Sequence, residues 1–251
     1  MGERFRGPPQ GWAALRWEVG VVFVGIALAL GAQQVADAWY WNRQAAQAQR
    51  AIEQELLEHE KDGYERIAVQ PCMRGQLAKL SLRLGASDGQ WKAMPMVVSP
   101  QGISEVAMKV IPSAYRAPER LWLDEAFKTA QATGALNHLP DELVASYAQA
   151  YQRGRQAFVL QAIEEEAATQ LSPLAIDGNI SSDARLSLFA SLSKVDHANS
   201  YLENNVRQEL EILTLLLRTV PLSIRKAGVR DRVENQRRFR GSCVLPLRLK
   251  P

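Results

Sequence analysis

Apolar and polar residues alternate along this chain in long helical stretches, and the first is the most extreme. Val19 to Ala32 reads VGVVFVGIALALGA, and no charge interrupts the chain between Glu18 and Asp37. At ~1.5 Å per residue a helix from Trp17 to Trp39 spans roughly 33 Å, close to the ~30 Å hydrocarbon thickness of a bilayer. Aromatics flank both ends: Trp12 and Trp17 before the run, Trp39, Tyr40 and Trp41 after it, as expected of interfacial belts. The pattern predicts a transmembrane helix over residues 17–41, preceded by a short cytoplasmic N-terminus, residues 1–16. A cleaved signal peptide is the competing reading, with small-residue sites at Ala29-Leu30-Gly31 or Ala36-Asp37-Ala38, and a buried core helix is a third.

Beyond the span the helical pattern continues. Residues 42–70 are rich in Ala, Gln, Glu and Arg, carry no proline, and show a thin apolar stripe of Ala45, Ala48, Ile52, Leu56 and Ile67. They predict a juxtamembrane rod ending at Pro71, followed by a second helix through Met73, Leu77, Leu80 and Leu84. Pro95, Pro100, Pro112 and Pro118 forbid one long helix over residues 89–118, although a short one fits between Ser104 and Val110; Met94, Met96, Val97 and Val98 would cover an open end of the bundle.

Further helices are predicted from Pro118 through Leu121, Trp122, Ala126 and Ala130 to Gly134, and from Pro140 towards Leu171. A last long one, capped by Ser182 or Asp183, carries Leu186, Phe189, Leu192, Val195, Leu202, Val206, Leu210, Leu213 and Leu217 and closes at Pro221. No alternation of period two is long enough to argue a sheet. The expectation is an all-α fold: a spanning helix continuing into a rod, then a soluble domain over 71–220 of about four or five helices, its two longest being antiparallel neighbours, with an irregular loop and a basic tail over 221–251.

Composition narrows the class without naming a partner. The 251 residues are 47% hydrophobic and 23% charged, which excludes a disordered chain. A mean hydropathy of -0.21 excludes several membrane spans. The formal charge of +3 is uneven: residues 221–251 hold nine Lys or Arg against Asp231 and Glu234, a net +7 that leaves -4 for the rest. Such a tail suits an anionic lipid surface or an acidic protein partner, or simply solvent. No nucleic-acid signature accompanies it, so none is expected as a ligand.

Orientation rests on Arg4, Arg6 and Arg16 before the span against Arg43 and Arg50 after it. This bias places the N-terminus inside and the domain in the periplasm of a bacterial inner membrane. Cys72 and Cys243 belong to no CxxC and have no His at metal spacing. In an oxidising compartment they are disulfide candidates, and a bridge closing about 170 residues would stabilise by roughly 5 kcal/mol in the chain-entropy account; two unrelated thiols are the alternative.

Chemistry is sparse. Glu55 and His59 stand four apart on one helix and Glu164 to Glu166 supply three carboxylates, but with three His in all no metal centre or cofactor is expected. The DGNISSD run from Asp177 opens like a calcium loop, yet its sixth position is Ser182 and its twelfth Leu188, so it is rejected. No nucleotide-binding, hydrolase or zinc-protease motif occurs, and no catalytic residue is proposed.

The opening WEVGVVFVGIALALGAQQVADAW, the segment Tyr115-Arg116-Ala117-Pro118-Glu119-Arg120-Leu121-Trp122 and the later Gly134-Ala135-Leu136-Asn137-His138-Leu139-Pro140 resemble an uncharacterised group of proteobacterial single-span membrane proteins. That resemblance implies a span, a trailing helix and an α-helical outer domain, with no assigned activity. It draws attention to Tyr115, Arg116, Arg120 and Trp122 as a candidate anion or partner site, the alternative being a helix entrance pinned by Trp122. Two functions remain: a structural or interaction domain, or an enzyme of unrecognised type with a cleft near residues 90–120. A convergent pocket containing Arg116, Arg120 and at least one ionisable group from another helix favours the second and a flat or filled region the first.

Overall fold

The computed structural model describes residues 11–95 and 113–246. The short helix expected between Ser104 and Val110, the positions Met96 to Val98, the N-terminal Arg4 and Arg6, and Arg248 and Lys250 lie outside the described residues.

The protein is all-α. Helix α1 runs without a break from Gly11 to Ala86, 76 residues and about 114 Å. Then come α2 (Glu125–Ala132), α3 (Asp141–Thr169), α4 (Ser182–Leu216) and α5 (Leu222–Arg240). One minimal antiparallel ladder, β1 (Gln90–Trp91) with β2 (Gly178–Asn179), closes the far end. There the Trp91 indole donates to the Leu174 carbonyl at 2.9 Å.

Helices α3 and α4 form an antiparallel hairpin: Arg153 meets Asn205 at one end and Gln170 meets Ser191 at the other. The distal half of α1 lies along α4, antiparallel to it, with His59 opposite Glu209 and Gln70 opposite Glu203. At Gly63 a Cβ would stand 3.1 Å from a Leu210 methyl, so the glycine is what lets the two helices approach. Two apolar clusters result. One is built on Ile52, Leu56, Tyr147, Tyr151, Leu202 and Leu213, the other on Val69, Leu80, Leu84, Leu171, Leu192 and Val229. A polar layer described below lies along α1 between them.

The proximal part of α1 is different. Its most apolar stretch is entirely unburied, with a mean hydropathy of 1.9 over 18 residues, and the helix is long and apolar enough to cross a membrane. Phe23, Leu28 and Trp17 are all at least 70% exposed. Burial begins at the domain's edge, where Trp41 stacks on His138 at 4.4 Å and Ala45 enters the core.

Four local expectations are corrected. Pro71 does not end a helix; α1 passes through it with the ring exposed. A proline removes the donor owed to the carbonyl four residues back, that of Ile67. At the same discontinuity the Ala68 carbonyl accepts from the Leu245 N–H at 2.8 Å, so a distant strand of chain compensates the helix. Residues 118–124 are extended rather than helical, because the Gln161 carboxamide accepts from the Arg120 N–H at 3.0 Å and donates to the Arg120 carbonyl at 3.1 Å. The long helix is capped by Ser181, whose hydroxyl accepts from the Ala184 N–H, and Pro221 opens α5. Finally, residues 222–240 are no loose tail: α5 packs across α1 through buried Val229, Val233 and Arg225.

Cys72 and Cys243 are disulfide-bonded, joining α1 one residue beyond Pro71 to the chain after α5. We expect Cys243→Ser to lower stability by about 2–5 kcal/mol, read by thermal denaturation against the parent protein, with mass mapping showing a single free thiol at Cys72.

Candidate functional site

The distal half of α1 carries more charge than a core helix can bury unaided. His59, Glu60, Asp62, Glu65, Arg66 and Gln70 are all buried. Each is met by a partner from another element, which is the condition for charges to persist away from water.

The Arg225 guanidinium of α5 makes a forked contact with Glu60, both 3% exposed or less. Arg120 of the extended segment donates from Nε and Nη2 to the two oxygens of Glu65, each at 2.6 Å, and lies 3.3 Å from Asp62. Gln236 of α5 also donates to Glu65, at 2.8 Å. Arg66 donates from Nη2 to Glu164 of α3 at 2.7 Å and to the Asn199 carboxamide oxygen of α4 at 2.8 Å. The Tyr115 hydroxyl donates to the same Glu164 oxygen at 2.6 Å. Gln70 and Arg74 both reach Glu203.

At the end of the layer nearer the N-terminus of α1 the His59 Nε2–H donates to the Leu123 carbonyl at 2.7 Å, while Nδ1 lies 2.8 Å from Glu209. A carbonyl can only accept, so Nε2 carries a hydrogen and the second proton is shared across Nδ1 and the carboxylate. Burial acts against the imidazolium, yet the Glu209 bond and charge outweigh it and raise the His59 pKa above its usual value. Burial raises Glu209 too, against the pull of His59. Gly154 of α3 makes room for this pair: a Cβ there would sit 2.7 Å from the imidazole.

The four residues singled out from the sequence are all placed by this layer. Tyr115 and Trp122 are buried, the latter edge-on to His59 at 5.5 Å. Arg120 is committed to Glu65 and Asp62, and the Arg116 carbonyl accepts from Arg240 at 3.1 Å. Arg120 thus converges with carboxylates of α1, but in a filled contact. Among the described residues, surface grooves lie elsewhere. One, between α3 and α4, is lined by residues including Arg153, Gln156, Tyr201 and Asn205. The other, between α1 and α4, includes Ile67, Leu210, Leu215 and Leu245.

The other acidic candidates are dispersed. Glu55 accepts from the Ala126 N–H and so steadies the start of α2; Glu166 pairs with Lys194, and Glu164 with Arg66. Among the described residues no three His, Cys, Asp or Glu side chains gather as a metal site would require. The cations of α5 were visible in the sequence as a basic excess, but their carboxylate partners were not. No family model matches the chain, and neither a curated protein nor a solved structure is significantly similar to it.

Two outcomes follow from this geometry. Removing one member of a buried pair strands the other, so Arg225→Met is expected to cost about 3–5 kcal/mol in chemical denaturation, while Arg225→Met with Glu60→Leu recovers most of it. Asp62 behaves differently. Burial outweighs the opposing charges of Arg232 and Arg120, and with the like charges of Glu65 and Glu58 it lifts Asp62 to about 6 from 3.8. A carboxyl whose folded pKa is raised favours the fold fully below its unfolded value and loses that contribution as pH rises through the folded one. Asp62→Asn is therefore expected to be more stable than the parent by about 1–3 kcal/mol at pH 7.5, with the difference vanishing near pH 4.

Proposed function

We propose that the chain is a single-pass protein of a bacterial inner membrane, with a short cytoplasmic N-terminus and a periplasmic α-helical domain that serves as a structural or interaction module. The observation that carries this reading is the unburied apolar run of α1. Val19, Val21, Val22, Phe23, Val24, Ile26, Leu28 and Leu30 are each more than half exposed, around the whole circumference of a helix. Water makes such a surface costly and nothing in the folded domain covers it, whereas lipid covers all faces at once.

Several features support the finer points. Trp17 and Trp39 bracket the run at bilayer spacing, and Arg43 lies over the Trp39 ring at 5.0 Å where headgroups would begin. The bond between Cys72 and Cys243 suits an oxidising compartment. The resemblance to the proteobacterial single-span group agrees with the same architecture. An interaction role is favoured over an enzyme because Tyr115, Arg120 and Trp122 are spent on internal contacts; most of the cleft expected near residues 90–120 lies outside the described residues. Of the α5 cations, Lys226, Arg230 and Arg238 are exposed and available to an anionic lipid surface or an acidic protein.

The test is fractionation of cells making the full chain. It should sediment with membranes, resist alkaline carbonate extraction, and be digested by protease in spheroplasts but protected in intact cells. Recovery in the soluble fraction overturns the membrane assignment, and protection in spheroplasts overturns the orientation.

A further inference from the structure

Single polar atoms of the layer lack a hydrogen-bond partner at Asp62, Gln70, Trp122 and Glu209, but unpartnered guanidinium and carboxamide donors gather at one seam, where α1, α3, α4, α5 and the extended segment all meet. Arg66 spends Nη2 on Glu164 and Asn199, but its Nε and Nη1 are buried without a partner. The Asn199 carboxamide nitrogen, on a residue with no exposed surface, is also unpartnered, and so is Nη1 of Arg240. Arg240 donates from Nε to Gln236 and from Nη2 to the Arg116 carbonyl, both uncharged acceptors. Among the described residues no carboxylate comes within ion-pair distance of it, since Glu65 is taken by Arg120 and Gln236 and Glu164 by Arg66 and Tyr115.

Burial depresses the Arg240 pKa and the nearby Arg66 guanidinium adds to that, while Tyr115, Glu65 and Glu164 act in the opposite sense. Among the described residues Arg240 thus lacks a carboxylate at ion-pair distance, and several N–H groups of Arg66, Asn199 and Arg240 are idle. A buried water would supply acceptors but no charge, and one beside the free Glu164 oxygen would serve only that edge. A tetrahedral oxyanion supplies both, with the geometry that guanidinium groups recognise.

We propose that Arg66, Arg240 and the Asn199 carboxamide hold a small oxyanion of the phosphate or sulfate type at this seam. The half-buried Arg240 side chain at the end of α5 is the entry, and the bound anion ties α5 and the extended segment to the α1–α4 pair. The proposal uses residues of the folded domain alone and stands apart from the membrane reading.

The experiment is thermal denaturation of the full-length protein in detergent, titrated with inorganic phosphate or sulfate against chloride at equal ionic strength. A saturable rise in Tm of about 4 °C or more is expected, together with broadening of the phosphate ³¹P resonance on addition of protein. Glycerol 3-phosphate in a parallel arm separates a free oxyanion from a phosphate carried on a larger molecule, according to which gives the greater shift. Arg240→Gln should melt no lower than the parent in chloride, because it removes a cation with no carboxylate partner, and should lose the phosphate-dependent rise. Arg230→Gln, on the exposed face of α5, should keep it. Equal Tm in phosphate, sulfate and chloride means the seam holds water only and overturns the proposal; so does a rise that survives in Arg240→Gln. Should that variant fail to fold, an unbroadened ³¹P resonance with the parent protein overturns it alone.

Discussion

Moving a carboxylate or guanidinium out of water costs several kcal/mol unless a partner of opposite charge is already in place. Distal α1 buries Glu60, Asp62, Glu65 and Arg66 within two turns, so this helix has no stable existence with that face covered by apolar residues alone. Four of the elements around it deliver a counter-charge to it. Helix α5 brings Arg225 and Arg232, the extended segment brings Arg120, α3 brings Glu164, and α4 brings Glu203 and Glu209. Apolar contacts flank the layer and supply most of the driving force, but the ionic pairs are directional and fix which helix face meets which. They give the domain one arrangement where Leu and Ala alone would permit several sliding ones.

That layer also marks the boundary of what the chain's pattern discloses. Long apolar periodicities are local signals, and α3, α4, the distal leucines of α1 and its exposed apolar run were all legible because each repeats within its own helix. Gly63 and Gly154 gave no such signal, since what they permit is the approach of Leu210 and His59 from 147 and 95 residues away in sequence. The extended run before α2 was misjudged for a related reason. Pro118 and Glu119 open helices well by propensity, but Gln161 offers the Arg120 backbone a donor and an acceptor, and that tertiary exchange wins over a weak local preference. The basic excess of residues 221–251 was visible as a number. Its meaning needed the carboxylates of Glu58, Glu60 and Asp62 to be read as the counterpart of Arg225 and Arg232, the cations of this stretch that pair with α1 among the described residues. Of the residues considered as a site, Tyr115, Arg120 and Trp122 lie in internal contacts of the layer and the Arg116 carbonyl accepts from Arg240, while Arg66, Arg225 and Arg240 were hidden among ordinary surface-looking cations.

Pro71 shows how the same tertiary logic operates on the backbone. A proline inside a helix of this length is a weak point, since one intrahelical bond is lost and neighbouring carbonyls open. Here three unrelated constraints gather within five residues of it: the Leu245 N–H on the Ala68 carbonyl, the disulfide at Cys72, and Met73 in the core. Helix α5 is consequently held at both ends, by Arg225 on Glu60 near its start and by Cys243 just past its finish. The proline does not interrupt α1 because the chain that follows α5 binds where the interruption would begin.

A continuous α1 has a mechanical consequence. The part of it proposed to lie in lipid and the part that forms the domain's charged spine belong to one hydrogen-bonded rod, with no glycine or proline between Gly31 and Gly63. Sharp bends in helices arise at such residues or at inserted groups, so tilt of the proximal segment is transmitted to the core face that carries Glu60 to Arg66 instead of being absorbed by a hinge. Trp41 stacked on His138 braces the rod at the first point where the domain touches it. The orientation of the domain relative to a bilayer would therefore be set by the rod and its aromatic girdle, and a partner gripping the domain would feel, and act upon, the position of the span.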